Sequence, residues 1–178
     1  KVLRIGFGDF ELLIHLKMSG QLILKGKEKF IGGHPTRDMF GDLPNKSTRV
    51  IFNLSDKSMV FFNDQRKFGW VRLVSQKELQ EFKFLNSLGP EPLDKSFTLK
   101  LFQANLSKRK KTSVKVVLLN QEVVAGIGNI YACEACFLAG IDPRKKVMDL
   151  SGKELERLFQ AVRETLNSGI KYGGSSKT

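Results

Sequence analysis

Gln121-Glu-Val-Val-Ala-Gly-Ile-Gly-Asn-Ile-Tyr-Ala-Cys-Glu-Ala-Cys-Phe-Leu-Ala-Gly-Ile-Asp-Pro143 reads as a tight turn and a complete helix that follow the close of an earlier helix. The first helix ends near Asn120, the turn contains Gly126 and Gly128, and the second helix starts at Asn129. Two closely spaced glycines let a turn point successive backbone N–H groups to one side. The helix that follows adds its own unpaired N–H groups and the positive end of its dipole. Together these features suit a phosphate, and Lys115 on the preceding helix can add a counter-charge. An ordinary helical hairpin with a C-capping glycine has the same spacing, so the turn alone leaves both readings open.

Charge narrows them. Thirty Lys and Arg stand against 18 Asp and Glu, a formal net charge of +12. Solubility asks roughly 2–8 of a small domain. The excess suits a polyanion, and nucleic acid is favoured over acidic lipid or acidic protein. No apolar run approaches the roughly 20 residues of a membrane span. The opening Lys1-Val2-Leu3-Arg4 meets Asp9 and Glu11 too soon for a signal peptide. Cys133 and Cys136 lie on one helix without a second pair or a nearby His to complete a tetrahedral metal site. They read as packing neighbours in a cytosolic chain that needs no disulfide.

The two halves differ in pattern. Up to about Val74, branched and aromatic stretches alternate with turns: Glu11–Lys17, Gly20–Leu24, Arg49–Leu54, Ser58–Asn63 and Gly69–Val74 read as strands. Val50, Phe52 and Leu54 should share one face, with Ile51 and Asn53 on the other. Lys25–Lys46, with Gly32-Gly33-His34-Pro35, reads as an exposed loop. Ser75 with Glu78 and Ser151 with Glu154 are capping-box pairs that open helices. Between them, helices are expected near Thr98–Asn105, Ser113–Asn120 and Asn129–Ala139, then Gly152–Ser168. On the last helix Leu155, Leu158, Phe159, Val162 and Leu166 form a core face. Lys108-Arg109-Lys110-Lys111 packs four cations into one turn, which suits either a phosphate or solvent.

Four motifs then occur in order: His15-Leu16-Lys17-Met18-Ser19-Gly20, Asn63-Asp64-Gln65-Arg66-Lys67-Phe68-Gly69, Leu88-Gly89-Pro90-Glu91-Pro92-Leu93, and Lys111-Thr112 with Lys115 and the Gln121–Pro143 run. In this order the chain resembles the bacterial formamidopyrimidine-DNA glycosylase family, whose members excise oxidised purines and nick the strand. Only Lys25–Lys46 falls outside the resemblance. It implies an α+β fold: an antiparallel β-sandwich over residues 1–92, a stiff Gly-Pro hinge, and a helix–two-turn–helix domain over 93–178, with DNA across the cleft between them. The implied partner is double-stranded DNA carrying an oxidised purine or abasic site, bound by a monomer in the bacterial cytoplasm, at the nucleoid.

The resemblance also assigns roles. A glycosylase must flip its target nucleotide out of the stack and fill the gap. In the family a Met, an Arg and a Phe do so, and they fall on Met18, Arg66 and Phe68. This trio sets the chain apart from the related endonuclease VIII enzymes. Phosphate contacts fall on Lys110, Lys115 and Asn129, with Gly128 in the turn, while Lys1 aligns with a lysine that assists β-elimination. A DNA-contacting family His aligns with Ser47. The family's nucleophilic N-terminal proline and acidic glutamate would lie upstream of Lys1. Its lesion-covering loop and four-cysteine zinc finger would follow Gly173–Thr178. No cofactor or metal is therefore assigned to this chain, which is expected to bind damaged DNA without lyase turnover. Borohydride trapping on an oxidised-guanine duplex should then leave no covalent adduct. The alternatives are a non-catalytic lesion-binding module or a ribosome-associated RNA-binding protein, a reading that leaves Met18, Arg66 and Phe68 without a task.

Overall fold

The computed structural model describes residues 1–34 and 41–174. Residues 35–40, inside the expected loop, and 175–178, at the end of the Gly173–Thr178 run, lie outside them. The chain divides into two compact units, Lys1–Phe82 and Lys83–Thr178. Among the described residues no helix is long and apolar enough to cross a membrane.

The first unit holds two antiparallel sheets. Strands β1 (Leu3–Phe7), β2 (Phe10–His15) and β7 (Trp70–Ser75) form one, in the order β1-β2-β7. Strands β3 (Gly20–Lys25), β4 (Lys29–Gly33), β5 (Thr48–Asn53) and β6 (Met59–Asp64) form the other, in the order β4-β3-β6-β5. Leu12 and Ile14 of the first sheet and Phe62 of the second make a shared core, with Leu22, Val50, Phe52 and Val71 packed on it. That arrangement is a sandwich. Val50 and Phe52 turn inward as their alternation requires, but Leu54 lies past the strand end and is exposed. A short helix, α1 (Gln76–Gln80), closes the unit behind the Ser75–Glu78 capping box.

Strand β4 corrects the reading of Lys25–Lys46 as loop throughout. Gly32 and Gly33 hide it from a propensity argument, yet they pair with Leu22 and Gln21 of β3. Gly33 has φ +109°, and a Cβ there would collide with the Gly20 carbonyl. The glycines mark close backbone approach within a sheet, not its end.

The second unit is helical: α2 (Lys83–Asn86), α3 (Leu99–Ser107), α4 (Val114–Leu119), α5 (Asn129–Ala139) and α6 (Gly152–Lys171). Phe97, Phe102 and Phe159 form its aromatic centre, with ring centroids 5.3–5.9 Å apart. Leu158 and Val162 are buried beside them, and Leu155 and Leu166 are packed at the margin, so the α6 face is core. Cys136 is buried in that core, whereas Cys133 is exposed; only one of the pair is a packing residue.

The unit boundary falls before the Gly-Pro segment and not at Pro92. The Gly89 N–H donates to Gln121 O at 2.7 Å and the Ala125 N–H to Pro90 O at 3.1 Å. Arg163 Nη1 holds Pro92 O at 2.9 Å. These bonds stitch residues 89–92 into the helical unit as a strap, through one donated N–H and two accepting carbonyls.

Candidate nucleic-acid interface

Two turns of the first unit converge. Strand β2 leaves at His15 and β3 begins at Gly20, closed by a 2.8 Å bond from the Gly20 N–H to Leu16 O. Lys17 sits at φ +50°, a left-handed position unusual for a lysine. His15 Nδ1 supports it by accepting the Lys17 N–H at 2.9 Å. Met18, at the tip, is 61% exposed. The second turn joins β6 to β7 through Gln65–Gly69. Lys67 is at φ +59°, Phe68 is 56% exposed, and the Arg66 guanidinium lies 4.9 Å from the Phe68 ring centroid. Register places Gly20 opposite Asp64, so both turns leave the same end of the second sheet.

Asp64 organises the second turn. It is 1% exposed. Oδ1 accepts Ser19 Oγ at 2.6 Å and the Arg66 N–H at 3.1 Å, and Oδ2 accepts the Gly69 N–H at 2.6 Å. Its own N–H donates to Ser47 O at 2.8 Å, and Arg49 Nε donates to its carbonyl at 3.0 Å. Burial pushes the carboxyl pKa up, but the donors Ser19, Gly69, Arg66 and Lys67 outweigh it, and the net shift is downward. Asp64 and Lys67 therefore play different parts in the turn. One is a buried anchor and the other an exposed turn residue. Ser47, where the family His would fall, is buried and serves Asp64 through its carbonyl.

Gly69 is obligatory for close approach: a Cβ there would lie 2.8 Å from the Phe62 ring and 3.0 Å from His15 O. His15 packs on Trp70, ring centroids 5.6 Å apart. Burial above all, with the positive charge of Lys17, lowers its pKa to about 4. Lys1 itself is exposed. A depressed histidine stabilises the fold above its unfolded value of about 6.5, and that contribution is lost as pH falls towards the folded value. Asp64 adds a second loss below about 4, since its folded pKa is also depressed. An NMR pH titration should thus show the Lys17 amide, bonded to His15, respond at higher pH than the Gly69 amide, bonded to Asp64. The reverse order would refute the assignment.

In the second unit, the turn between α4 and α5 is stapled by Gln121. Its Oε1 accepts the Gly126 N–H at 2.9 Å, and Nε2 donates to Ile127 O at 2.8 Å and Leu119 O at 3.1 Å. Gly126 has φ +79°, which favours glycine. Its N–H is consumed inside the turn and does not face a phosphate. The backbone N–H groups left for an anion are fewer than the sequence implies, and lie in the first turn of α5. Gly128 is the N-cap, supplies no side-chain acceptor, and the ladder starts with the Ala132 N–H to Gly128 O. The N–H groups of Asn129 and Ile130 precede that ladder.

The basic tract is sorted by its partners. Lys108 Nζ reaches Asn105 Oδ1 at 2.8 Å, and Arg109 pairs with Glu122 at 3.5 Å. Lys110 and Lys111 project to solvent. The backbone of Lys110 is held by the Met148 N–H at 2.9 Å, and that of Lys115 donates to Pro143 O at 3.1 Å. Lys145 is engaged by Glu154 at 2.8 Å. Burial and Cys133 raise the Cys136 thiol pKa to about 11, with Lys115 partly opposing. Among the described residues no group of three or more His, Cys, Asp or Glu could hold a metal ion.

Each unit thus collects its own residues: Met18, Arg66 and Phe68 in the first, Lys110, Lys115, Gly128 and Asn129 in the second. Sequence reasoning missed Ser19, Asp64 and Gln121. An Asp two residues before an exposed Arg is an Asx-turn signal that could have exposed Asp64.

Residues 1–71 match the formamidopyrimidine-DNA glycosylase N-terminal domain, and residues 88–178 match the formamidopyrimidine-DNA glycosylase H2TH domain. The chain belongs to this glycosylase family. It is 39% identical over 175 residues to the formamidopyrimidine-DNA glycosylase of Rhodopseudomonas palustris strain BisB18, covering 93% of this chain and 58% of the relative. The Ruegeria pomeroyi glycosylase is 39% identical over 171 residues, with 95% and 58% covered. The chain therefore spans somewhat over half the length of these glycosylases. The solved Lactococcus lactis glycosylase bound non-covalently to DNA with an AP site superposes with a TM-score of 0.82 at 32% identity, over 99% of this chain and 63% of that one. The same glycosylase with FAPY-dG DNA gives 0.81 at 33% identity, over 99% and 61%. The antiparallel sheets and the helix–two-turn–helix unit are those of this glycosylase fold.

Proposed function

We propose that this chain recognises damaged duplex DNA for base-excision repair of oxidised purines, as part of a DNA glycosylase and AP lyase of the bacterial chromosome. The observation that carries the reading is the pair of tied turns presenting Met18, Arg66 and Phe68. Leaving a Met and a Phe more than half exposed forgoes about 1–2 kcal/mol each of burial, which a partner can restore. A base everted from the stack leaves such a space. Phe68 suits an unstacking wedge, Met18 an irregular void, and Arg66 has planar donors for the orphaned base. Relatives of the same fold are solved on abasic-site and FAPY-dG DNA. The α5 N-terminus with Lys110 and Lys115 supports a phosphate clamp.

Binding to a duplex with a tetrahydrofuran abasic analogue, to the intact duplex and to RNA of the same sequence tests this. The abasic duplex should bind most tightly, and equal affinity for all three would sink the reading. Phe68→Ala should lower the abasic preference about tenfold, since stacking is worth roughly 1–3 kcal/mol. An unchanged preference would remove the wedge. Lys110→Ala should weaken both duplexes alike and flatten the log–log salt slope by about 0.9.

A further inference from the structure

We propose that Ser19 and Asp64 are positioning residues that join Met18, Arg66 and Phe68 into one mechanical unit, so that the three enter and leave a vacated base position together. The inference rests on the proposed lesion-binding role. The two turns are far apart in sequence and meet at one hydroxyl. Ser19 Oγ donates to Asp64 Oδ1 at 2.6 Å and accepts the Arg66 N–H at 3.3 Å. A serine hydroxyl has one proton to give, so its donor capacity is used and the bridge has a defined direction. Asp64 then passes the constraint on, through Oδ2 to the Gly69 N–H and through Oδ1 to the Arg66 N–H.

Ser19 and Asp64 are 7% and 1% exposed, while Met18 and Phe68 are 61% and 56% exposed. The bridging atoms therefore lie under the loops and do not themselves reach a gap in DNA. In so buried a site water does not take over a lost partner, so the loops cannot shift independently without leaving a carboxylate oxygen or an N–H unsatisfied. Both loops also hold a lysine at positive φ, Lys17 and Lys67, each beside its exposed tip. Such residues persist only where surrounding bonds over-determine them.

Two readouts test the coupling on the full chain. In the free protein, Ser19→Ala should speed amide exchange at Gly69 as well as Arg66 by about tenfold, the equivalent of one hydrogen bond to a charged group. The Gly69 N–H bonds Asp64 and not Ser19, so its response reports transmission; Phe62 in β6 serves as the control for global stability, and Ser19→Thr should restore both rates. On DNA, Met18→Ala and Phe68→Ala should reduce abasic preference by less than the product of their separate effects. In the Ser19→Ala background the effects should multiply. Exchange that changes at Arg66 alone, or multiplicative effects in both backgrounds, would overturn the coupling. A parent chain with no abasic preference would instead refute the functional reading, while the exchange result would still decide whether the turns move as one.

Discussion

Asp64→Ala is expected to destabilise the first unit by about 3 kcal/mol or more and to erase its abasic-site preference. The carboxylate is 1% exposed and receives Ser19 Oγ, the Arg66 N–H and the Gly69 N–H. Alanine leaves those donors facing a small void, and each buried unsatisfied group costs about 1–3 kcal/mol. Some relief comes as the exposed turn opens to water, which sets the total below the simple sum. Opening the turn also releases Arg66 and Phe68 from their places. Because the chain has two units, a single melting temperature would mix two transitions. Residue-resolved hydrogen exchange avoids this: Leu13, Phe61 and Phe62 should lose protection, while Phe102 and Leu158 should not. A loss under about 1 kcal/mol at the sheet amides would show that Asp64 is not the anchor.

Gly89→Ala should act on the other unit, at a cost of about 2–4 kcal/mol. A Cβ at Gly89 would stand 2.7 Å from Glu122 O and 2.8 Å from Val123 O. These are backbone atoms and cannot swing aside as a flexible side chain would, and overpacking of this kind costs about 1–3 kcal/mol. The 2.7 Å bond from the Gly89 N–H to Gln121 O would lengthen as the strap withdraws, losing about a further 1 kcal/mol. Gln121 is the residue whose side chain staples the turn before α5, so the damage should reach the phosphate end of that helix. Protection at Val124 and Ile127 should fall and binding to intact duplex should weaken. A merely flexible linker at Leu88–Leu93 would tolerate the alanine without either change.

Several elements were legible because their cause is local. The capping boxes at Ser75–Glu78 and Ser151–Glu154 form as read, since cap bonds involve residues three apart. Helix α5 begins at Asn129 because Gly128 ends the turn, and it stops at Gly140, which takes the left-handed C-cap at φ +63°. The apolar face of α6 is core because its spacing matches the helical repeat. Strand β4 escaped because its glycines answer to a neighbouring strand, and the strap at 89–92 escaped because its partners are Gln121, Ala125 and Arg163. Gly126 was legible as a turn glycine but not in its bonding, since the acceptor for its N–H is a side chain five residues back.

By itself the sequence determined the family and the order of strands before helices, and it proposed the residues offered to a partner: Met18, Arg66, Phe68, Lys110, Lys115 and Asn129. These follow from short motifs, charge and periodicity, which act over a few residues along the chain. Only the tertiary structure decided how those residues are held. Ser19 meets Asp64 across 45 positions of sequence, and the β3–β6 register sets Gly20 opposite Asp64. A hydrogen bond between buried groups depends on distance in space, which no local pattern encodes. The Gln121–Pro143 run thus suggests a phosphate cradle, and in the fold the unladdered N–H groups belong to the first turn of α5 while Gln121 holds the turn before it.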